Sequence, residues 1–312
     1  MSMYKTPIIG AVGLGGESVF LSVDHFHTPG ETLQAQGIFV EPGGKAYNQA
    51  VAARRLGAEV LFFGAMGADK GGDFCKAYLE SEGITPVLER LPQHNTAYAC
   101  ILTDKHGENQ VTVSRGASQH LSPEFIRSHE KDVLRCTHML LGLECPLATT
   151  KAVHSFCKKH GIFTILNPAP AIPLDLEFLL SFDLITPNQQ EASVLLGLDS
   201  QPDPKKLGRL LQKSGFKQAV VTLGGQGSLL LAGEDLLLFP ALDVHAVDTT
   251  GAGDTFNAAL AVALGRGNSL SEAVVYATNA SAYSVSKAHV MNSLPTKSAL
   301  ETQLQILTPI HL

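Results

Sequence analysis

Short apolar runs alternate with longer helical patterns along most of this chain of 312 residues, and this alternation is the feature that most restricts its fold. Runs such as Val60–Gly64, His138–Gly142 and Ala219–Leu223 are almost wholly apolar, as is typical of strands covered on both faces. The helical patterns cover residues 45–56, 71–82, 148–160, 188–196, 204–214, 252–264 and 271–285. Strands separated by helices predict an α/β protein with a mostly parallel sheet and helices on both of its faces.

Two segments interrupt this rhythm, because they look like half-exposed strands with no crossover helix beside them. They are Thr32–Val40 and Ala97–Ser114, and the second contains a turn at Asp104–Gly107. We expect them to form a small accessory sheet, such as a flap over a cleft. Because the chain shows no internal repeat and no clear linker, we predict one domain over residues 1–312, with lid strands at roughly 14–22, 32–41 and 96–114.

The composition excludes several classes of protein. Apolar residues make up 45% and charged residues 17% of the chain, which excludes a disordered protein, and the net charge of −6 argues against a nucleic-acid-binding coat. No apolar stretch approaches the roughly 18 residues of a membrane span, so we expect neither a nucleic-acid nor a membrane partner. Five cysteines without a CxxC pair predict buried thiols of a reducing compartment. Met1–Gly16 does not resemble a signal peptide, so we expect a cytoplasmic protein.

The strongest local signal for chemistry is Val247–Phe256, which reads VDTTGAGDTF. Gly251 and Gly253 allow a tight turn before a helical pattern, and the free backbone N–H groups and the helix dipole make such a turn an anion site. Asp254 lies beside it, where a carboxylate can take the proton of an attacking hydroxyl. The plain alternative is a helix start with an acid in its first turn. The two glycines and a second acid, Asp248, favour the anion site.

Two helix starts are weak signals of a ligand site when taken alone, and they support one only together with the segment Val247–Phe256. Gly43–Ala50 opens with two glycines and has Asn48 one turn inside the helix, an arrangement that suits a polyol. Asn188 and Glu191 lie three residues apart after a strand, so on a helix they share a face that suits a hydrated Mg²⁺ and its phosphates. The alternatives are an ordinary turn in the first case and an Asn helix cap in the second.

Two other groups follow strands, and strand ends are where open α/β sheets bind ligands. The glycines of Thr222–Gly227 suit a nucleotide that approaches the backbone, and a tight turn into the next strand explains them equally well. Glu144 suits either a substrate hydroxyl or a structural role. His25 and His27 lack an evident third metal ligand, so we interpret them as residues of a surface loop. The chain contains neither a GxxxxGK[ST] nor a GxGxxG pattern.

In this order, the segments resemble the ribokinase (PfkB-type) family of sugar and nucleoside kinases over nearly the whole chain, and their motifs look closest to the ribokinases. The resemblance rests on TPGET at residues 28–32, GGKAYNQAVAA at 43–53, NPAP at 167–170, TPNQQEA at 186–192 and DTTGAGDTF at 248–256. It implies a three-layer α/β/α fold with a small β-sheet lid. It also implies transfer of the γ-phosphoryl group of ATP to a primary hydroxyl of a small sugar, such as ribose or a related pentose or ketose, and a homodimer formed through the lid.

The resemblance also implies a role for each matching residue. The general base would be Asp254, and the anion hole would be formed by the backbone amides of Gly251, Ala252 and Gly253. The sugar would contact Gly44, Lys45, Asn48, Glu144 and Asp254. The nucleotide would contact Asn188, Thr222, Gly224 and Gly227, and Glu191 would serve Mg²⁺. A monovalent cation, usually K⁺, would bind mostly through backbone carbonyls at Asp248, Thr250, Ser284, Lys287, His289 and Ser293.

The sequence departs from the family where the sugar hydroxyls are held. Ribokinases carry an Asn and an Asp after the first strand, and the matching positions here are Gly16 and Ser18. Each buried charge-assisted hydrogen bond is worth roughly 1.5–3 kcal/mol, so ribose would bind far less tightly unless other groups, for example Glu17 or Asp24, replace the missing ones.

Other functions remain open alongside a sugar kinase. A nucleoside kinase of the same family fits the motifs. A sensor that binds a sugar or nucleotide without chemistry would explain the altered positions, although the intact GAGD at residues 251–254 argues against it. A nicotinamide-dependent dehydrogenase is disfavoured because the GxGxxG pattern is absent.

Overall fold

The structure is a computed structural model that describes residues 6–312. Its strands are β1 (Ile8–Val12), β2 (Gly16–Ser22), β3 (Gly37–Gly43), β4 (Glu59–Gly67), β5 (Thr85–Leu91), β6 (Ala97–Thr103), β7 (Asn109–Ser114), β8 (His138–Leu141), β9 (Phe163–Leu166), β10 (Leu184–Ile185), β11 (Gln218–Thr222), β12 (Ser228–Ala232), β13 (Asp235–Phe239) and β14 (Ile310–His311). Met1–Lys5, the start of the segment that we judged not to be a signal peptide, lie outside the described residues.

The helices alternate with these strands through most of the chain. They are α1 (Lys45–Arg55), α2 (Lys70–Ser81), α3 (Pro123–Ser128), α4 (Glu130–Val133), α5 (Leu147–Lys159), α6 (Leu176–Leu180), α7 (Gln189–Leu195), α8 (Pro204–Lys213), α9 (Ala252–Gly265), α10 (Leu270–Val285), α11 (Val290–Ser293) and α12 (Lys297–Glu301). Short 3₁₀ turns lie at Gly116–His120 and Gly224–Gln226. Among residues 6–312, no helix has the length and apolar character needed to cross a membrane.

The larger sheet has the strand order β14-β13-β12-β11-β10-β9-β8-β1-β4-β5. The strands from β11 to β5 pair in parallel, and β12, β13 and β14 extend the sheet with antiparallel pairs at one edge. The prediction of a mostly parallel sheet is therefore confirmed. The antiparallel strands did not stand out in the sequence, because tight turns rather than helices join β11, β12 and β13, and β14 has only two residues.

Helices cover both faces of this sheet, which gives the protein three layers. One apolar core lies between the sheet and α1, α2, α9 and α10, and a second lies between the sheet and α3 to α8. Alternate residues of a strand enter opposite cores, as Phe62 and Phe63 of β4 do. This two-sided burial explains why the strands are continuously apolar in the sequence.

The chain changes direction across the sheet at β1, and this change positions the site. From β1 the chain proceeds through β4 to β5 on one side, and then from β8 towards β11 on the other. A crevice forms at such a switch point, outside the carboxyl ends of the strands. The second sheet, which we call the lid sheet, has the order β3-β2-β6-β7. It lies at this end because β2 follows β1 closely and β3 leads directly into α1.

The strand predicted at residues 32–40 begins instead at Gly37 and continues to Gly43. Its partner β2 sets this limit, because the pairing runs from Gly16 opposite Gly43 to Ser22 opposite Gly37, where β2 ends. Residues 32–36 therefore have no strand beside them. The cysteines are all free thiols, as expected, but Cys100 on the lid sheet is only half-buried.

Candidate active site

The carboxylate of Asp254 lies at the contact between α1 and α9 and is 5% exposed. The side-chain amide of Asn48 donates to its Oδ2 at 2.8 Å, and that of Gln49 donates to its Oδ1 at 3.2 Å. Both amides lie in the first turns of α1, which begins just after the lid strand β3. A buried carboxylate is thus held in one orientation, with lone pairs left to accept a further proton donor.

Lys45 and Glu144 stand beside Asp254. The backbone N–H of Lys45 donates to Oε2 of Glu144 at 2.8 Å. The negative charge of Asp254, more than that of Glu144, raises the pKa of the Lys45 ammonium. Burial, reinforced by the charge of Asp254, raises the pKa of Glu144 to about 7. The site therefore combines a permanent cation with a carboxyl group that changes its charge near neutral pH.

The turn Thr249–Asp254, which we call the anion turn, forms the start of α9. Gly251 has a φ of +77°, and a Cβ on it would lie 2.8 Å from Cγ1 of Val290, so both the conformation and the space require glycine. Asp248 fixes the turn from the preceding residue, since its Oδ1 accepts the N–H of Thr250 at 2.9 Å. At this helix start the N–H of Ala252 donates to the carbonyl of Thr249 at 3.2 Å. The amides of Gly251 and Gly253 have no preceding turn to bond to, so they are available to an anion.

Two cavities flank the anion turn. The larger, of about 720 Å³, lies under the lid sheet and is bordered by Lys45, Asn48, Glu144, Thr250, Gly251 and Asp254 together with lid residues. The smaller, of about 300 Å³, is bordered by Thr222, Gly224, Gly227, Thr249, Ala252 and Gly253. The residues expected for the sugar thus border the cavity on one side of the turn. Of those expected for the nucleotide, Thr222, Gly224 and Gly227 border the other cavity and Asn188 does not.

Asn188 and Glu191 lie at the start of α7, where their side chains form a helix cap. Oδ1 of Asn188 accepts the N–H of Glu191, and Oε2 of Glu191 accepts the N–H of Asn188, both at 2.8 Å. Asn188 also forms a β-bridge with Thr222. Burial raises the pKa of Glu191, while its bond to the Asn188 amide and the charge of Lys45 act in the opposite direction.

The residues expected around a monovalent cation converge only in part. Asp248 Oδ2 accepts the N–H of His289 at 3.2 Å, and the buried hydroxyls of Ser284 and Ser293 donate to nearby carbonyls. Lys287 is exposed, and its Nζ donates to the Tyr283 hydroxyl at 2.6 Å. Within residues 6–312, no group of three or more His, Cys, Asp or Glu side chains is arranged to hold a metal ion.

Sequence reasoning missed Gln49 and Glu41. Gln49 follows Asn48 directly and lies on the same turn of the helix, so its position next to a predicted site residue could have indicated it. Glu41 is a 4% exposed acid on β3 that borders the larger cavity, and nothing in the sequence indicates its partners. Of the two acids considered as replacements, Glu17 borders that cavity, whereas Asp24 is exposed and pairs with His25 and Lys105.

Comparison with known proteins decides the family. A family model described as pfkB family carbohydrate kinase matches residues 17–297. The chain belongs to this pfkB family. A ribokinase from Haemophilus influenzae is 36% identical to this pfkB kinase over 280 residues, which are 89% of the chain and 92% of that protein. A deoxyribokinase from Salmonella typhimurium is 33% identical and covers 92% of the chain and 95% of its own length.

The similarity to ribokinases extends to their solved structures. The ribokinase of Arabidopsis thaliana, solved in complex with ribose and ATP, matches this pfkB kinase with a TM-score of 0.87 at 27% identity, over 96% of this chain and 99% of that one. The ribokinase-like fold and the family indicated by the motifs are therefore confirmed. This pfkB kinase is an ATP-dependent sugar kinase.

A side chain at Gly16 should destabilise the pfkB kinase, because a Cβ there would overlap the backbone carbonyl of Ala97 on the paired strand β6. We expect Gly16→Ala and Gly16→Asn to lower the free energy of unfolding by roughly 1–3 kcal/mol in urea titrations. Gly225→Ala is the matched control, since a Cβ there would meet nothing within 4 Å. Equal urea midpoints for the two alanine variants would contradict this account.

Glu144→Gln should stabilise the pfkB kinase in alkaline buffer. The pKa of Glu144 rises on folding from 4.5 to about 7. The folded protein therefore loses stability as the pH increases through that interval, because the folded state disfavours the charged carboxylate. Glutamine carries no such charge. We expect the variant to be more stable than the parent by roughly 2 kcal/mol at pH 8, with the difference vanishing near pH 4.5. Thermal unfolding across this range checks the sign; a less stable variant at pH 8 would refute it.

Proposed function

We propose that this chain transfers the γ-phosphoryl group of ATP to a primary hydroxyl of a small sugar, ribose or a related pentose or ketose. The observation that carries the proposal is the position of the anion turn between the two cavities. A nucleotide in the smaller cavity would direct its terminal phosphate to the turn, and a sugar in the larger cavity would meet it from the other side. Such alignment removes much of the entropic barrier of a two-substrate reaction.

In this proposal Asp254 is the general base. Its carboxylate takes the proton of the sugar hydroxyl while the hydroxyl oxygen attacks the γ-phosphorus. The bond from that phosphorus to the β–γ bridging oxygen breaks, and ADP leaves. The amides of Gly251, Ala252 and Gly253 stabilise the charge on the transferred group. Lys45, Asn48, Glu144 and the backbone of Gly44 hold the sugar.

The nucleotide side would be formed by Asn188, Thr222, Gly224 and Gly227. Glu191 suits Mg²⁺, because the helix cap engages its Oε2 and leaves Oε1 for a water of the ion. When bound, Mg²⁺ neutralises phosphate charge.

A monovalent cation, K⁺ by family resemblance, would be held beside the anion turn. It would bind at Asp248, Thr250, Ser284, Lys287, His289 and Ser293, mostly through backbone carbonyls. The support is electrostatic: Asp248 and Glu41 both direct carboxylates to the segment Val285–Met291. Burial raises the pKa of Glu41, and the charge of Asp248 adds to this effect.

The relatives named ribokinase and deoxyribokinase support a pentose as the acceptor. A nucleoside is the second candidate, and one observation favours it. The larger cavity is roomy for a pentose, and the aromatic side chains Phe20, Phe39 and His289 border it. A sensor without chemistry is disfavoured, because Asp254 and the anion turn are complete.

We further propose that residues 1–312 act as one kinase domain with the lid sheet. The acidic net charge and the free cysteines support a cytoplasmic location without nucleic-acid or membrane partners.

We propose that the lid sheet also forms a homodimer. Ile38, Val40 and Tyr98 lie on one face of the lid sheet and are 69%, 41% and 42% exposed, and Ile38 and Tyr98 also border the larger cavity. Burying these side chains would remove apolar surface from water. Light scattering at micromolar concentration should give twice the monomer mass, and Ile38→Asp should reduce it to the monomer. A monomeric parent would exclude this dimer.

The experiment that tests the function is ADP release from Mg-ATP in K⁺ buffer with a panel of acceptors. The panel holds ribose, deoxyribose, xylulose, ribulose, fructose, tagatose, adenosine, inosine, cytidine and pseudouridine. A signal with a pentose or ketose supports the proposal, and a signal with nucleosides alone supports the second candidate. ATP binding without release for any acceptor would favour the sensor.

Asp254→Asn should lower kcat by about 10³-fold while the Kd for ATP, measured by calorimetry, changes little, because the base acts on the acceptor and not on the nucleotide. Glu144→Gln should instead raise the KM for the sugar. The exposed Asp235→Asn serves as the control and should match the parent. Turnover that survives Asp254→Asn would remove Asp254 from the role of base.

A further inference from the structure

Glu41 is a buried acid at the cavity end of lid strand β3. Its Oε1 accepts the N–H of Val290 at 3.0 Å and its Oε2 accepts the N–H of Met291 at 2.9 Å. The side chain is 4% exposed, and burial raises its pKa despite these two bonds. A carboxylate that is removed from water and divided between two adjacent amides fixes the backbone that carries them.

The segment held by Glu41 is in direct contact with the anion turn. Val290 packs against Gly251, where it occupies the space that a Cβ would need. The neighbouring His289 donates its N–H to Asp248, and Asp248 accepts the N–H of Thr250. Two separate routes thus lead from the residues beside Glu41 to the turn, one through packing and one through hydrogen bonds.

The other end of the connection is the lid. Phe39, two residues before Glu41, stacks on the His289 ring with centroids 4.0 Å apart, and Phe20 of β2 meets the same ring edge-on at 5.6 Å. His289 has a φ of +65°, a conformation that a side chain other than glycine rarely adopts. The surroundings therefore hold this residue in place. From the lid, Phe39 contacts its ring, and Glu41 binds the N–H groups of the next two residues.

We propose that Glu41 is a positioning residue that ties the lid sheet to the anion turn, so that the turn is set for phosphoryl transfer only when the lid strand is in place. This proposal rests on the proposed function. Because β3 continues into α1, which carries Lys45 and Asn48, an acceptor that settles against the cavity face of β3 acts on the same strand that anchors Val290 and Met291. Glu41 thereby links occupation of the sugar side to the geometry of the phosphate side.

The test compares Glu41→Gln and Glu41→Asp with the parent. Glutamine keeps the size but turns an NH₂ group towards one of two amide donors, and aspartate keeps the charge but is too short to reach both. Glu89→Gln is the matched control, because Glu89 also accepts a backbone N–H, that of Ser122 at 2.8 Å, away from the cavity. The first measurement is amide hydrogen exchange of the peptides that cover residues 248–254 and 285–293, in the protein without acceptor.

We expect both Glu41 variants to exchange at least about tenfold faster in both peptides, and Glu89→Gln in neither. The second measurement is ADP release with the acceptor that gives the strongest signal in the panel. Here kcat should fall by roughly 10- to 100-fold in the Glu41 variants, with the KM for ATP within about twofold of the parent.

Faster exchange in residues 285–293 alone, with kcat unchanged, would overturn the proposal, since Glu41 would then only secure its own contacts. A uniform rise of exchange over the whole chain would overturn it too, because that pattern marks a loss of global stability. If no acceptor is phosphorylated by the parent, the proposed function fails, and the exchange of residues 248–254 still decides whether Glu41 positions the turn.

Discussion

The site depends on one buried carboxylate held between two helices. Asp254 on α9 accepts hydrogen bonds from Asn48 and Gln49 on α1, residues more than 200 positions earlier in the chain. A carboxylate this deeply buried is tolerated only with such donors. The same bonds that aim the acid at the larger cavity also secure the contact between α1 and α9. Catalytic geometry and helix packing are therefore set by one interaction, and neither helix can shift without turning the acid.

Side chains from the surrounding segments fix the anion turn, just as Asn48 and Gln49 fix Asp254. Asp248, Val290 and Glu41 each hold a neighbouring backbone segment, so the anion turn is fixed by contacts from outside its own helix. A helix start alone would fray and reorient, and its amides would lose the common direction that an anion requires. The fold supplies rigidity here through side-chain to backbone bonds, in addition to the turn's own bond from the N–H of Ala252 to the carbonyl of Thr249.

The sequence predicts those parts of the structure that depend on local pattern. The parallel strands and their helices follow from two-sided burial. The segment at residues 248–256 indicates the anion turn because it combines two glycines at a helix start with two acids. The limits of β3 could not be predicted, since they depend on where its partner β2 ends. The role of Glu41 could not be predicted from local sequence pattern either, because the amides that it binds lie about 250 positions later. Asn188 and Glu191 show the reverse case: their spacing fits both a cap and an ion site, and the cap that forms leaves Oε1 of Glu191 for the proposed ion.

The lid strands offer few polar side chains that could distinguish one sugar from another. Ser18 lies directly opposite Glu41 in the ladder, but that carboxylate is committed to two backbone amides, so it offers a sugar less than a free acid would. Gly16 has no room for a side chain. Among the described residues, the buried Oδ1 of Asn48 has no hydrogen-bond partner, which costs roughly 1–3 kcal/mol until a donor arrives. An acceptor hydroxyl that satisfies this oxygen recovers that energy on binding. Discrimination between sugars is thus expected to come from α1 and Glu144 at the floor of the cavity, rather than from the lid strands.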